Sequence, residues 1–169
     1  GLKQVAEVDE RYQSFNVEMC EVVGGKFWIP YNLLDSTKVK TGGFDALKTT
    51  VPPIDLYGKK LRTLAAALGP TYIRVSGTWA NTIYFQDNDD LKLTTAPAGY
   101  ENILTRKEWK GVIDFCKAVD GRLITSFAIS NGMRDKEGDW TPAQIRPLII
   151  YTKALGGEIT AAEMFNEPS

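Results

Sequence analysis

Asn166-Glu167, Glu18, Arg74 and the turn Ser76-Gly77-Thr78 are the residues of this 169-residue chain whose types and surroundings suit chemistry. A carboxyl group flanked by apolar neighbours holds its proton at neutral pH, because burial penalises the charged form, and a positioned proton donor is what general acid catalysis needs. Glu167, after Met164-Phe165 and before Pro168, is the candidate for that role. Asn166 beside it is uncharged and can donate and accept hydrogen bonds to a hydroxyl without adding repulsion. Taken alone, Asn-Glu-Pro suits a solvated turn as well as a site. Composition closes other routes. The chain has no histidine, which excludes Ser-His-Asp and Cys-His machinery and every His-ligated metal site. Cys20 and Cys116 are too few and too far apart for a zinc site or a disulfide framework, and read as small buried apolar residues.

Positioning these groups requires strands that end just before them. Apolar periodicity switches repeatedly between period 2 and period 3.6, the pattern of strands alternating with crossover helices in a parallel α/β sheet. Residues 13–20 alternate Phe15, Val17 and Met19 with Ser14, Asn16 and Glu18, and residues 3–8 are a further strand candidate. Residues 54–68 place Leu61, Leu64, Ala65 and Leu68 on one helical face, which Gly69-Pro70 ends. Residues 72–75 form the next strand, leading into Ser76-Gly77-Thr78. Thr105 with Glu108 is a capping box that opens a helix carrying Trp109, Val112, Ile113 and Cys116 inward. Residues 123–130 are a third strand, ending in Ser130-Asn131. Thr141-Pro142 marks a helix start, Pro147 is expected to bend that helix, and Gly156-Gly157 closes it. Residues 159–165 are a fourth strand, which delivers Asn166 and Glu167.

Four such units, with polar irregular segments after each strand, describe the first half of a (β/α)8 barrel, a fold that needs about 250 residues and carries its reactive groups at the C-terminal strand ends. Strands one to four are expected here, as residues 11–169. Residues 1–10 are the candidate strand of an accessory β-domain. The rest of the barrel is expected from the same polypeptide or from a second chain, since an open half exposes apolar edges. At the strand ends, Arg74 suits a structural ion pair inside the barrel mouth better than direct substrate contact, and Glu18 suits a strand residue facing solvent or paired with Arg74 as well as it suits a site. Trp28, Tyr31, Trp79, Tyr84 and Trp140 fall in loops, where aromatic faces either stack on sugar C–H surfaces or pack the loops.

Twenty basic against twenty-one acidic residues leave no bulk field to hold a nucleic acid or an anionic membrane. The apolar runs are far short of the roughly 20 residues that span a bilayer. Neither partner is expected.

Three segments, Ser14-Phe15-Asn16-Val17-Glu18, residues 68–78 with Pro70-Thr71-Tyr72-Ile73-Arg74-Val75-Ser76-Gly77-Thr78, and Glu163-Met164-Phe165-Asn166-Glu167-Pro168, resemble in order and spacing the heparanase and β-glucuronidase-like glycoside hydrolases of family 79. The Asn-Glu-Pro element is shared across the larger clan of retaining (β/α)8 glycosidases, whereas the second segment is more particular to the family. The resemblance implies cleavage of β-linked glucuronic acid in glycans or glucuronides, with Glu167 as general acid/base and Asn166 bonded to the sugar 2-hydroxyl. It places Glu18 at the sugar of the inner subsite and Thr78 on the other side of it; Arg74, Gly77, Trp79 and Asn131, by their position at or after the strand ends, complete the candidate substrate-binding residues. Glu18 stands where an Asp is usual, and Ser76 where a Gly is common. The nucleophile Glu is expected on the other half of the barrel, outside this chain, so that this chain alone is inactive. No metal or cofactor is implied, since two carboxylates supply the chemistry.

Substrate class follows from charge. Gln86-Asp87-Asn88-Asp89-Asp90 is acidic, and Lys38, Lys40, Lys59, Lys60, Arg106, Lys107 and Lys110 are scattered, which favours a non-sulfated or lightly sulfated glucuronide over heparan sulfate. Enzymes with such substrates work in extracellular, periplasmic or lysosome-like compartments. The alternatives are a xylosidase or arabinofuranosidase of the same clan, and a non-catalytic carbohydrate-binding half-barrel.

Overall fold

Alternation of apolar and polar side chains along short β-branched and aromatic runs gives this chain its strands, and capped amphipathic runs give its helices. The computed structural model describes residues 3–35, 37, 41–90 and 93–167. Pro168, Lys38 and Lys40 lie outside the described residues. In chain order the described elements are β1 (Phe15–Glu18), α1 (Met19–Val23), β2 (Gly25–Trp28), β3 (Lys48–Val51), α2 (Lys59–Ala66), β4 (Thr71–Ser76), β5 (Ile83–Gln86), β6 (Asn102–Thr105), α3 (Arg106–Ala118), β7 (Gly121–Ser126), α4 (Ile145–Ala154) and β8 (Ile159–Glu163). Short 3-10 turns include Glu10–Tyr12, Thr78–Thr82 and Asn131–Met133.

The main sheet has four parallel strands in the order β1-β4-β7-β8, each beside the one before it. Register pairs Phe15 with Ile73 and Ile73 with Leu123, and this face is the buried one. Val17, Ile73, Val75 and Leu123 join Trp109, Val112, Ile113, Phe115 and Cys116 of α3 in the core. Each large core side chain contributes on the order of 1.5–3 kcal/mol by leaving water. The opposite face carries Asn16, Arg74, Ile124 and Ala161 in one register row, all half-buried or exposed. Helices and apolar packing thus cover one face of the sheet among the described residues.

Several polar contacts fix this arrangement. Thr105 caps α3 as expected: its backbone N–H donates to Glu108 Oε2 at 2.8 Å, and Glu108 N–H donates to Thr105 Oγ1 at 3.3 Å. The fully buried Trp109 donates its indole N–H to Thr152 Oγ1 at 2.7 Å, and Thr152 donates to Leu148 O at 2.7 Å, which ties α3 to α4. Arg11 donates to Asp120 O at 2.5 Å and Asp120 Oδ1 at 2.8 Å, anchoring the segment before β1 to the turn before β7. Both cysteines are buried and free.

The structure departs from the sequence reading at identifiable places. Residues 3–8 form no strand; they are exposed and pair with nothing regular among the described residues. The first strand ends at Glu18, because Met19, Cys20 and Val22 turn into α1 and bury there. The helix expected over 54–68 starts only at Lys59, after the turn in which Gly58 N–H donates to Asp55 O at 3.0 Å. Its expected apolar face is largely in water: Leu61, Leu64 and Leu68 are 38%, 60% and 45% exposed, and only Ala65 is buried. Pro142 does not open α4, which starts at Ile145. Pro147 is therefore its third residue, where a missing N–H breaks no helical bond, and no bend is required. The antiparallel β2–β3 hairpin and the parallel β5–β6 pair were read as loop. No helix is long and apolar enough to cross a membrane among the described residues.

Thr152→Val keeps the shape at the α3–α4 contact but strands the buried Trp109 N–H. The expected loss is about 1–3 kcal/mol, read as a lower urea midpoint with an unchanged slope.

Candidate active site

Parallel register sets the polar groups in two rows. Glu18 pairs with Ser76 and Ser126 with Glu163, so these four side chains form a row at the C-terminal ends of the strands, one step above the row of Asn16 and Arg74. Arg74 Nε and Nη2 donate to Glu163 Oε1 and Oε2 at 2.8 and 2.7 Å, a bidentate pair, and Nη1 donates to Asn16 Oδ1 at 2.7 Å. Ser76 donates to Glu163 Oε2 at 3.3 Å and shares a 2.7 Å bond with Ser126. The Arg74 guanidinium holds the Glu163 carboxyl below its ordinary range. Glu18 does not pair with Arg74; Glu163 takes that place.

Asn166 is 7% exposed and held from two sides. Asn81 Nδ2 donates to Asn166 O at 2.6 Å, and Asn166 N–H donates to Asn81 Oδ1 at 2.9 Å. Asn81 O in turn accepts from Ile129 and Ser130 N–H groups at 2.9 and 3.1 Å, so one residue ties together the segments after β4, β7 and β8. Arg74 Nη2 also donates to Asn166 Oδ1 at 2.8 Å. With its oxygen engaged, Asn166 presents its amide N–H groups as donors. The next residue, Glu167, is exposed and has a left-handed backbone, φ 37°, a conformation that costs a non-glycine residue about 1 kcal/mol or more and that neighbouring contacts must hold. The apolar enclosure expected of Glu167 is not present among the described residues.

Glu18 meets the opposite environment from Glu163. Burial, the largest influence, raises its carboxyl above the ordinary range; Glu21 and Glu167 push the same way, while the Asn16 amide, donating to Oε1 at 3.1 Å, and Arg74 oppose. Gly77 makes this position available. Its φ is 101°, and a Cβ there would fall 1.6 Å from Glu18 Oε2, so the turn after β4 admits only glycine beside that carboxylate.

These groups line one cleft of about 1110 Å³. Glu18, Arg74, Gly77, Thr78, Trp79, Asn166 and Glu167 all line it. Asn131 does not: the chain turns at Asn131–Met133, where Gly132 N–H donates to Gly99 O and Tyr100 O–H to Gly132 O, and Asn131 is left exposed away from the cleft. Ser130 lines the cleft instead, and its hydroxyl is buried without a partner among the described residues. Trp28 and Trp79 line the cleft, whereas Tyr84 packs edge-on against Tyr100, Trp140 bonds Ala128 O, and Tyr31 is exposed. Glu163, Asn16, Asn81, Phe27 and Lys48 were not foreseen. Glu163 carried a signal, since it shares strand parity with Ala161, but its partner depends on a register the sequence does not state. No cluster of three or more Cys, Asp or Glu suited to a metal occurs among the described residues.

The raised Glu18 carboxyl has a defined consequence for stability. A raised folded-state value means that its contribution is full below the ordinary 4.5 and is lost as pH rises through the folded value. At pH 7 the folded protein bears a partly desolvated charge, so Glu18→Gln should raise the urea midpoint modestly, by less than about 1 kcal/mol after solvent screening. The gain should vanish on titration to acid pH; a loss of stability at pH 7 would contradict it. The Glu163 sign is opposite: its contribution is present above 4.5 and lost as pH falls through the lowered value. Glu163→Gln should therefore destabilise at pH 7 and match the native protein in acid. A scan against protein-family models finds no match to this chain, and a search of the curated proteins finds none either.

Proposed function

We propose that the chain is the first half of a (β/α)8 barrel of a retaining glycoside hydrolase similar to family 79, cleaving β-linked glucuronic acid in a glycan or glucuronide. The observation that carries the reading is Arg74 holding Asn166 and Glu163 at once, beside Glu167, at the C-terminal ends of parallel strands. Strand order supports the barrel: each parallel strand lies beside its predecessor and helices cover one face, whereas a doubly wound sheet reverses its order and is covered on both. The uncovered face, with Asn16, Arg74 and Ile124, is the one that a closed barrel turns inward.

The resemblance assigns the roles, and the hydrogen bonds held by Asn166 are compatible with them. Asn166 donates from its amide to the sugar 2-hydroxyl oxygen. Glu167 gives its proton to the leaving glycosidic oxygen and then takes one from the attacking water. A sugar in the cleft would displace water from around Glu167, and Trp79 and Phe165 are among the cleft's lining residues. Glu163 is unsuited as nucleophile, because Arg74 occupies both of its oxygens. The nucleophile then comes from a strand of the barrel's second half, on this polypeptide or a partner chain. A glucuronide substrate of this kind places the protein in an extracellular, periplasmic or lysosome-like compartment.

The test uses the full-length protein and a panel of aryl β-glycosides. Turnover should favour the glucuronide over the xyloside and arabinofuranoside. Glu167→Gln should lower kcat by about 10²–10⁴-fold for poor leaving groups and much less for activated ones, which need little proton donation. Equal turnover by Glu167→Gln and the native enzyme on poor leaving groups would refute the assignment. Glycan binding with no turnover in either protein would leave the non-catalytic half-barrel.

A further inference from the structure

Glu167 sits on a length of chain that the main sheet does not hold. The ladder of β8 ends at Glu163, and β8 has one strand neighbour, β7, among the described residues. Beyond it, Met164 and Phe165 are 53% and 37% exposed, so packing does little to fix the path from the last ladder bond to Glu167. A reacting group misplaced by about 1 Å loses on the order of 10²-fold in rate. A proton donor at this position needs support from outside the sheet.

The Asn81 side chain supplies it. Its amide bonds both the N–H and the C=O of Asn166, at 2.9 and 2.6 Å, as a neighbouring strand would. The N–H belongs to the peptide plane before Asn166 and the C=O to the plane after it, so one flat side-chain group fixes both. The second plane is the one from which Glu167 turns away with φ 37°. Holding that plane sets the direction in which the Glu167 side chain leaves the backbone. The task takes one acceptor and one donor in a common plane: a carboxylate has no donor, and glutamine carries the pair one methylene further out.

Asn81 is anchored independently of its amide. It lies in the turn Thr78–Thr82, where Ala80 is buried and its N–H donates to Gly77 O at 2.9 Å. Its carbonyl oxygen accepts from the Ile129 and Ser130 N–H groups. Trp79, two residues before it, packs edge-on against Phe27 at 5.6 Å. Main chain and side chain thus do separate jobs, and a substitution at position 81 removes one and leaves the other. The Asn166 side chain keeps its bond from Arg74 in either case, so the loss falls on Glu167.

We propose that Asn81 is a positioning residue for the general acid/base: it acts through the two peptide planes of Asn166 to orient the Glu167 carboxyl, and it neither binds the sugar nor moves a proton. The inference rests on the reading of Glu167 as the acid/base.

Full-length native protein, Asn81→Ala, Asn81→Asp, Glu167→Gln and the double variant Asn81→Ala/Glu167→Gln are compared on two aryl β-glucuronides, one with a poor and one with an activated leaving group. The observable is kcat/KM, which reports the bond-breaking step. Binding of a sulfur-linked aryl glucuronide that is not cleaved, and hydrogen exchange at the amides of Asn166, Ile129 and Ser130, are measured alongside. Asn81→Ala should lower kcat/KM about 10²-fold on the poor leaving group and much less on the activated one, with binding of the uncleaved analogue unchanged. In the double variant it should add nothing to the loss caused by Glu167→Gln, because its effect runs through that carboxyl. Exchange at Asn166 should speed about tenfold. Ile129 and Ser130 should stay protected, since their bonds go to a main-chain oxygen that alanine retains. Asn81→Asp keeps the shape and the bond from Asn166 N–H but loses the donor to Asn166 O; it should show the same selective loss, and it carries the test where the alanine variant does not fold. Equal loss on both substrates, independent losses in the double variant, weaker binding of the uncleaved analogue in step with the rate, or fast exchange at Ile129 and Ser130 would each overturn the inference while a damaging Glu167→Gln leaves the acid/base reading intact. Absent turnover, or turnover that Glu167→Gln does not slow on the poor leaving group, would sink that reading and the inference with it.

Discussion

A guanidinium group keeps its charge under all conditions a folded protein meets, so a half-buried arginine must be given acceptors, and much of this cleft is the set of acceptors given to Arg74. Glu163 supplies two, Asn16 one and Asn166 one. These come from β1, β8 and the segment after β8, so satisfying one side chain fixes how the two edges of the sheet and the site loop sit relative to β4. Asn81 does for the backbone what Arg74 does for the side chains, binding Asn166 through both peptide groups and drawing in the segment after β7.

Two carboxylates in one register row are driven in opposite directions by what surrounds them. Glu163 faces the guanidinium and is held ionised; Glu18, at the far end of the row, is pushed toward its protonated form by burial, with Glu21 and Glu167 adding to the push. Gly77 makes the difference possible, because any side chain there would displace the Glu18 carboxylate. A fold selected for stability alone has no use for a carboxylate so placed.

What was legible in the sequence was what short range decides. Thr105-Glu108 specified its cap, and alternation located the four strands of the main sheet to within a few residues, since both signals are local. The end of β1 was misjudged because Met19 and Cys20 continue the apolar pattern while burying in a helix. The exposed face of α2 was misjudged because amphipathic spacing states which residues share a face, not whether anything covers it. The hairpin of residues 25–28 and 48–51 was missed because its strands are four residues long and pair across a long loop. In the cleft, Glu18, Arg74, Gly77, Thr78, Trp79, Asn166 and Glu167 were singled out because each falls in or just after a strand that alternation locates. Glu163 and Asn81 were not, because their importance lies in partners set by register and loop closure.

The polar face of the main sheet sharpens the reading of the cleft. Arg74 is about one-third exposed, and Glu163 slightly more, so water still screens their pair. Further strands closing over this face would remove that water and strengthen each field in the row: the pull of Arg74 on Glu163 and Asn166, and the desolvation that favours a protonated Glu18.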